Sequence, residues 1–515
     1  MDIQKTLNKR RLVCSSLLSF IIAFLLVTGE QIDSTSNLNT VFFSFNMILV
    51  TSILTFLFYK LFGLKTKKRK PEKIKIKRWQ LFLLLFIPSM FLLFACFPGT
   101  YSWDDGTMYH RYATGQHTTH FSILISWFLG ICIDFGTKIL GNSNIGLAIF
   151  ITAQAAVATF AIASILLYIS NKLKSQKFLV IFILYFILHP LIQNRLIAAH
   201  QDTFFGAFFL LLLLEVVKMI NEEEYFSKKK NWLLVSIFVF LMCACRNNGF
   251  FALLPALCLG LLFFKGKRKQ YACILAIPLI LFQFYNNFVV SKIVVKRESL
   301  FQESLSVPIM QIARSIYKND DLAKNEDLKK FFKKDCNWQL YDTSQDLSDD
   351  FKNCLNTGYV SDHFTEFLKF WAEMGVKNPQ SFIEAPLVAS IRMYYPWINY
   401  DNDKKAHNYH SYEYTYVSGV SRANKDDINI ESSPKIPAIF KFMQSLTSEQ
   451  KWSKIYGFRL IWCGAFTTLS LIIAVFMCLY KKRYKMLSYR FLLYSEYCLL
   501  FSLVQQYISG ICFQR

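Results

Sequence analysis

The sequence is poor in charged residues and lacks the short motifs that many soluble enzymes carry. Asp, Glu, Lys and Arg make up 18% of the 515 residues, against about 25% in an average soluble domain. No cysteine pair has the CxxC spacing of a zinc or redox site, no glycine-rich phosphate loop occurs, and no internal repeat is evident. These absences argue against a soluble enzyme and give no support to zinc or redox chemistry.

Apolar and aromatic residues dominate instead. The chain is 53% hydrophobic and 17% aromatic, and it contains 51 Phe. This composition predicts a multi-pass membrane protein. The formal net charge of +23 does not indicate nucleic acid as a partner, because Lys and Arg lie in short loops between apolar runs. We therefore expect the lipid bilayer as a partner and no nucleic acid.

The apolar runs predict an all-α polytopic membrane protein with about 11 transmembrane helices, at about 17 to 25 residues per span. They are expected at residues 12–29, 41–62, 79–97, 145–168, 177–192, 203–218, 232–245, 249–264, 271–290, 459–480 and 491–511. A further apolar segment, 121–140, is expected to be an interfacial or re-entrant helix. Between the outer loop 98–120 and the cytoplasmic loop near Lys172 the chain needs an odd number of crossings, and it offers two apolar segments there, so one of them must not cross.

The basic loops also predict the orientation and the domains. The strongly basic residues 65–78 should be cytoplasmic by the positive-inside rule, so the protein is expected in the cell membrane with its active face extracytoplasmic. Four parts are predicted: a two-helix membrane segment with its basic loop (1–78), a transmembrane core with the outer loop 98–120 (79–290), a mainly helical extracytoplasmic domain (291–458), and C-terminal transmembrane helices (459–515). Cys336 and Cys354 of the outer domain could pair, and free thiols are the open alternative.

The sharpest chemical feature is an acidic motif, FPGTYSWDDG at 97–106, placed where a helix leaves the membrane. Its two carboxylates, Asp104 and Asp105, are candidates to deprotonate an acceptor hydroxyl or to hold Mg²⁺ or Mn²⁺. A solvated Asp-Asp-Gly turn is the alternative. A third candidate catalytic carboxylate, Asp202, precedes an apolar run, where it could also be a helix N-cap.

Basic and amide side chains accompany these carboxylates on the same predicted face. The candidate substrate ligands are His120, Arg195, His200, Arg246, Asn247 and Asn248. Arg246 at membrane depth could neutralise a phosphate, or it could snorkel to the surface. Cations and carboxylates at one membrane face fit an anionic lipid such as a polyprenyl-phosphate-linked sugar, because its phosphate needs positive charge and its acceptor needs a base.

Several stretches give the sequence a family resemblance. They are Pro98–Asp105, His120, Gln201–Asp202, Arg246–Gly249, Ser306–Arg314 and the segment from Trp371 to Pro396. On these the chain resembles the GT-C superfamily of integral-membrane glycosyltransferases, and more closely an uncharacterised bacterial multi-pass family of that type. The resemblance implies a GT-C-like fold, a lipid-linked sugar donor, base or metal-binding duty for Asp104 or Asp105, and an acidic site residue at Asp202.

The chain also departs from that pattern. It has His120-Phe121 where relatives tend to have His-Pro, and Gln201-Asp202 where they tend to have Lys-Asp, which removes a cation from the phosphate site. Relatives continue into another helix beyond residue 515. These departures leave an inactive member open as an alternative.

Together these observations predict a membrane glycosyltransferase. It would transfer a sugar from a polyprenyl-phosphate-linked donor to a cell-envelope glycan, lipid or protein acceptor on the extracytoplasmic face. The alternatives are a transporter or flippase of lipid-linked sugars or polysaccharide, and a non-catalytic scaffold of an envelope polysaccharide assembly complex. Transporters usually show repeated halves and ionisable residues at the bilayer midplane, and the sequence has neither feature.

Overall fold

The computed structural model describes residues 2–35, 40–63, 72–101, 103–246, 249–251, 253–254, 258, 261, 264, 266–295, 300–342, 348–397, 428–447, 457 and 463–480. Within these ranges the chain forms helices and no strand, so the predicted all-α class is confirmed. Two isolated β-bridges occur there, Thr100 with Ala198 and Phe332 with Leu355.

The longer helices are labelled in chain order. They are α1 (Asp2–Thr35), α2 (Thr40–Gly63), α3 (Arg78–Ala95), α4 (Trp103–Thr114), α5 (Ile123–Lys138), α6 (Ser143–Leu173), α7 (Gln176–Leu188), α8 (Pro190–Leu196), α9 (Gln201–Asn221), α10 (Lys229–Cys245), α11 (Arg268–Phe284), α12 (Ser306–Lys318), α13 (Phe364–Lys377), α14 (Pro379–Ser390), α15 (Pro437–Thr447) and α16 (Gly464–Tyr480). Short helical turns occur at Tyr225–Ser227, Tyr285–Val290, Ser291–Ile293, Leu300–Ser304, Asp320–Lys324, Glu326–Phe331, Trp338–Asp342, Asp349–Lys352, Thr357–Asp362 and Ile391–Met393.

Six stretches among the described residues are long and apolar enough to cross a membrane. They are Asn8–Asp33, Val41–Gly63, Arg78–Ala95, Ser143–Leu173, Gln201–Asn221 and Arg268–Ile293, and α7 and part of α16 are shorter apolar helices. These helices agree with a multi-pass membrane protein. The count of about 11 spans stays a prediction, because 491–511 lies outside the described residues and 249–264 is described only in part.

Two of the spanning helices, α6 and α9, set the dimensions of the membrane part. The side-chain oxygen of Gln154 in α6 accepts a 2.8 Å hydrogen bond from the backbone N–H of His200, which immediately precedes α9. Each helix continues for about 20 residues beyond this contact, or roughly 30 Å, which is one hydrocarbon thickness. We call the end of the bundle at this contact the site end, and we call the opposite end the basic end.

The basic end collects the Lys- and Arg-rich segments. The N–H of Glu72 donates to the carbonyl of Lys174 over 3.0 Å, which joins the start of α3 to the end of α6. Lys267, just before α11, donates to the carbonyl of Glu223, just after α9. Segments far apart in sequence therefore place their positive charges at one end, as the positive-inside pattern predicts.

The helix α5 does not reach the basic end. Before its first residue, the hydroxyl of Ser122 donates to the carbonyl of Ala244 over 2.6 Å, and the N–H of Ser122 donates to the side chain of Gln201 over 3.1 Å. Near its last residue, Gly136 packs so closely on Gly146 that an added Cβ would lie 2.4 Å from the backbone nitrogen of Gly146. Both ends of α5 thus lie beside the starts of α6 and α9. This arrangement supports the prediction that 121–140 does not cross.

The predicted span 177–192 is corrected to two helices. α7 ends at Leu188 and α8 begins at Pro190, with His189 between them in an extended conformation. Proline has no N–H and disfavours the helical conformation of the residue before it, so one helix ends here and another begins. The His189 ring accepts a hydrogen bond from the N–H of Ile192 and caps α8.

Residues 300–390 form a helical unit with its own core. Buried apolar side chains of α12, α13, α14 and the short helices pack together, among them Ile309, Ile312, Ile316, Phe331, Phe351, Phe367 and Phe370. The guanidinium of Arg314 is enclosed with the carboxylate of Glu384, at 2.7 and 3.0 Å. Cys336 and Cys354 form a disulfide, which decides between the two alternatives that the sequence left open.

The segment 428–447 does not belong to that unit, although the sequence predicted one domain over 291–458. Its backbone at Glu431 exchanges two hydrogen bonds with the side chain of Asn144, at 2.8 and 3.1 Å. The N–H of Ile436 donates to the carbonyl of Ala95 over 3.2 Å. The segment therefore packs on the site end of α3 and α6, and the predicted domain divides into two parts.

The disulfide gives a prediction that is independent of function. We expect denatured, unreduced protein to bind two fewer maleimide-polymer groups than reduced protein, because Cys336 and Cys354 are joined. The measurement is the shift in gel mobility. The Cys336→Ser/Cys354→Ser protein is the control, and it should show no difference between the two conditions. An equal shift in both conditions for the wild type would mean that the two thiols are free.

Candidate active site

Two loops that are distant in sequence pair at the site end. The N–H of Thr100 donates to the carbonyl of Ile197, and the carbonyl of Thr100 accepts from Ala199, both over 3.0 Å. This short parallel pairing joins the chain after α3 to the chain between α8 and α9. It places the start of α4, with its two aspartates, beside the start of α9.

Gly99 makes this pairing sterically feasible. Its φ of +91° lies in the left-handed region, and a Cβ at this position would lie 2.4 Å from the carbonyl oxygen of Ile197. Only glycine has ready access to that conformation and leaves room for the neighbouring backbone. The glycine of the acidic motif is thus required for the two loops to meet.

Asp202 and Arg246 form an ion pair between α9 and α10. Asp202 is in the first turn of α9 with its side chain 3% exposed, whereas the side chain of Arg246, at the end of α10, is 25% exposed. The helix N-terminus and the guanidinium both place positive electrostatic potential beside this carboxylate. Asp202 is not the N-cap of α9, because the His200 ring holds that position. Arg246 pairs with a buried charge and does not merely snorkel.

His200 lies at the centre of the cluster. Its Nδ1 accepts a 3.0 Å hydrogen bond from the N–H of Asp202 and lies 3.2 Å from the guanidinium of Arg195. Arg195 and His200 are both buried. Burial, with the positive charges of Arg195 and Arg246, holds the pKa of His200 well below its ordinary value, so the imidazole is neutral at pH 7.

Asp104 faces the other side of the same ring. Its Oδ2 lies 3.9 Å from His200 Nε2, and its side chain is 24% exposed. Its neighbour Asp105 is fully buried. Both lie in the first turn of α4, a helix in what the sequence predicted as an outer loop, where negative charge is favoured by the helix dipole. Asp104 is therefore the carboxylate of this pair that a substrate can reach.

The helix α4 is held in place by a carboxylate that sequence reasoning missed. Asp134 of α5 accepts hydrogen bonds from the hydroxyls of Tyr109 and Tyr112, at 3.2 and 3.3 Å. The only sequence signal was the rarity of a carboxylate in an apolar helix. Gln154, which anchors His200, was also missed as a site residue. Gln201, which the sequence placed at the phosphate site, instead binds the backbone of Ser122.

The remaining candidates differ in how far they are exposed. His120 is exposed and packs edge-on against Phe121, so it is not part of the buried cluster. Arg195 and His200 are too deeply buried to be primary substrate ligands, and they act on other side chains of the cluster. Asn247 and Asn248 lie outside the described residues.

Asp104 and Asp105 do not fit a shared metal site. Consecutive residues of a helix do not face each other, and one of these two carboxylates is buried while the other is partly exposed. Among the described residues, no group of three His, Cys, Asp or Glu side chains is arranged to hold a metal ion. A role for Mg²⁺ or Mn²⁺ stays a prediction, and no step below depends on it.

The chain belongs to a family of unknown function, DUF6020, whose model matches residues 109–494, about three quarters of its length. The matched range includes Asp202 and Arg246 and begins after Asp104. No curated protein and no solved structure matches the chain. The GT-C resemblance therefore stays a prediction.

The ion pair gives a prediction about stability. Arg246→Gln leaves Asp202 charged and enclosed, so we expect it to lower the melting temperature in detergent by several degrees. The melting temperature of Arg246→Gln/Asp202→Asn should fall by less, because no charge is then left uncompensated. Lys138→Gln is the control, since it breaks an ion pair whose lysine is 72% exposed and should change little. A double variant less stable than Arg246→Gln would contradict this account.

Proposed function

We propose that the protein is a GT-C-type membrane glycosyltransferase that moves a sugar from a polyprenyl-phosphate-linked donor to a cell-envelope acceptor on the extracytoplasmic face. The observation that carries the proposal is the position of Asp104. It is a partly exposed carboxylate beside a buried cluster of His200, Asp202, Arg195 and Arg246. The cluster lies about one hydrocarbon thickness from the basic end, which is where a lipid phosphate would meet water.

The reaction assigns distinct roles to these groups. Asp104 accepts the proton of the acceptor hydroxyl, and the hydroxyl oxygen attacks the anomeric carbon of the donor sugar. The bond between that carbon and the phosphate oxygen breaks, and polyprenyl phosphate leaves with the electron pair. Arg246, the more exposed of the two arginines, donates hydrogen bonds to the phosphate as its charge increases.

The donor's lipid tail requires an apolar surface next to the site. The helix α5 begins beside Gln201 and carries Trp127, Ile131 and Phe135 on one face, exposed by 42%, 55% and 43%. Their spacing of four residues aligns them along the helix. We place the first isoprene units of the donor along this face, which continues into the lipid-facing surface of the bundle.

The orientation rests on two independent features. The basic segments gather opposite the site, and such segments are cytoplasmic in most membrane proteins. The disulfide Cys336–Cys354 lies in a unit that connects to the site end, where the N–H of Val295 donates to the carbonyl of His117. Stable disulfides form in oxidising compartments outside the cytoplasm. Both features favour an extracytoplasmic site.

The test compares cells that lack the protein with cells restored by wild type, Asp104→Asn or Asp134→Asn. Mass spectrometry of surface polymers and lipid-linked sugars is the measurement. We expect the deletion to remove one sugar from a polymer and to accumulate its lipid-linked donor, and we expect Asp104→Asn to restore less than about 1% of transfer, because loss of a general base costs about 100-fold or more.

Asp134→Asn is a matched control. Its carboxylate is 23% exposed, close to the 24% of Asp104. In Asn the amide oxygen can still accept from one of the two tyrosine hydroxyls, and the amide NH2 can donate to the hydroxyl oxygen of the other. Asp134→Asn should restore transfer. Full restoration of transfer by Asp104→Asn would show that Asp104 is not the base. That outcome would favour a transporter or a scaffold instead.

A further inference from the structure

We infer that His200 is a positioning residue, which holds the carboxylate of Asp104 in the orientation for proton transfer and does not itself contact the substrate. The inference rests on the proposed function and adds a part to it. It also replaces the sequence-based hypothesis that His200 binds substrate, because the side chain is only 2% exposed.

The contacts of the ring fix its tautomer. The backbone N–H of Asp202 and the guanidinium of Arg195 can only donate hydrogen bonds, and both lie at Nδ1, at 3.0 and 3.2 Å. Nδ1 must therefore carry a lone pair, and in a neutral imidazole the proton is then on Nε2. Nε2 is the atom that faces Asp104.

The surroundings keep the ring in this neutral form. Arg195 and Arg246 oppose a positive imidazolium, and Asp202 and Asp104 favour one. Asp202 is already paired with Arg246, so its attraction for a second positive charge is reduced. Burial is the main cause that lowers the pKa of His200, and the two arginines add to its effect. A neutral ring with a fixed Nε2–H is a donor of constant direction.

That donor is directed at one oxygen of Asp104. The separation of 3.9 Å from Nε2 to Oδ2 is longer than a hydrogen bond, and contacts of this kind often shorten when substrate binds. With Oδ2 held by His200, the carboxylate has a fixed orientation toward the acceptor hydroxyl. Orienting a base through a third group is a general device of enzymes that transfer protons.

The competing explanation is that His200 only caps a helix, and the chain offers an internal comparison. His189 is also buried, and its Nδ1 also accepts an N–H at a helix start, in α8. The ring of His189 packs against Tyr185. If capping were the whole role, equivalent substitutions of the two histidines would have equivalent effects.

The experiment uses His200→Asn, His200→Gln and His189→Asn in the full-length protein. Asn is among the best N-cap residues, and its side-chain oxygen takes the place of Nδ1, so His200→Asn keeps the cap and loses the donor to Asp104. The amide nitrogen of Gln reaches the place of Nε2 and keeps that donor. Transfer is measured in membranes with the lipid-linked sugar extracted from the deletion cells as donor.

We expect His200→Asn to lower kcat by about 10- to 100-fold with KM changed less than about twofold, since a misoriented base slows the chemical step without weakening binding. His200→Gln should recover much of that loss, and His189→Asn should match wild type. Melting temperatures in detergent report whether each variant folds. If His200→Asn does not fold, the comparison of His200→Gln with wild type still tests the donor, because near-normal kcat is expected.

Several results would overturn the inference. They are a normal kcat in folded His200→Asn, a His200→Gln protein that folds but transfers no faster than His200→Asn, and equal losses in His189→Asn and His200→Asn. Each of these, with Asp104→Asn still inactive, removes His200 from the mechanism and leaves the proposed function in place. An active Asp104→Asn protein would instead show that Asp104 is not the base, and His200 would then have no base to position.

Discussion

A carboxylate enclosed where helices end in a membrane bundle must have a cationic partner, and this constraint organises the site end. Asp202 is almost fully buried, and an unpaired charge at that depth would cost several kcal/mol. Arg246 supplies the partner from the far end of α10. Because the two residues lie on different helices, their pairing fixes where α9 begins relative to where α10 ends. The neutral His200 ring and Arg195 then pack against a charge that is already compensated.

Backbone hydrogen bonds connect this ion pair to the acidic motif. Thr100 pairs with the chain at 197–199, and Gly99 allows the close approach through its left-handed conformation. The pairing brings the first turn of α4 to the cluster, and the tyrosines of α4 bind Asp134 on α5. Three carboxylates that look alike in sequence thereby differ in surroundings. Asp105 is buried, Asp202 is paired, and Asp104 is left partly open.

The charged residues of the membrane part are separated into two groups, one at each end of the bundle. Lysine- and arginine-rich segments lie at one end, and the ionisable groups of the cluster lie at the other, about 30 Å away along α6 and α9. The helix α5, whose ends lie beside the starts of α6 and α9, places an exposed apolar face beside the cluster. A lipid-linked substrate has the same two parts, an apolar chain and a charged head group. Such a substrate fits this division better than a water-soluble one does.

The sequence by itself determined the helical class, the spans from α1 to α3 and the starts of α6 and α9, because these depend on local apolar runs. The sidedness stays a prediction from the charges of short loops. It also indicated Asp104, Asp202 and Arg246. Only the tertiary structure decided that Asp104 is accessible and Asp105 is buried, that His200 lies between two aspartates, and that 428–447 packs on the membrane helices. These facts depend on contacts between residues up to several hundred positions apart, and local patterns of hydrophobicity and charge carry no information about which distant segments meet.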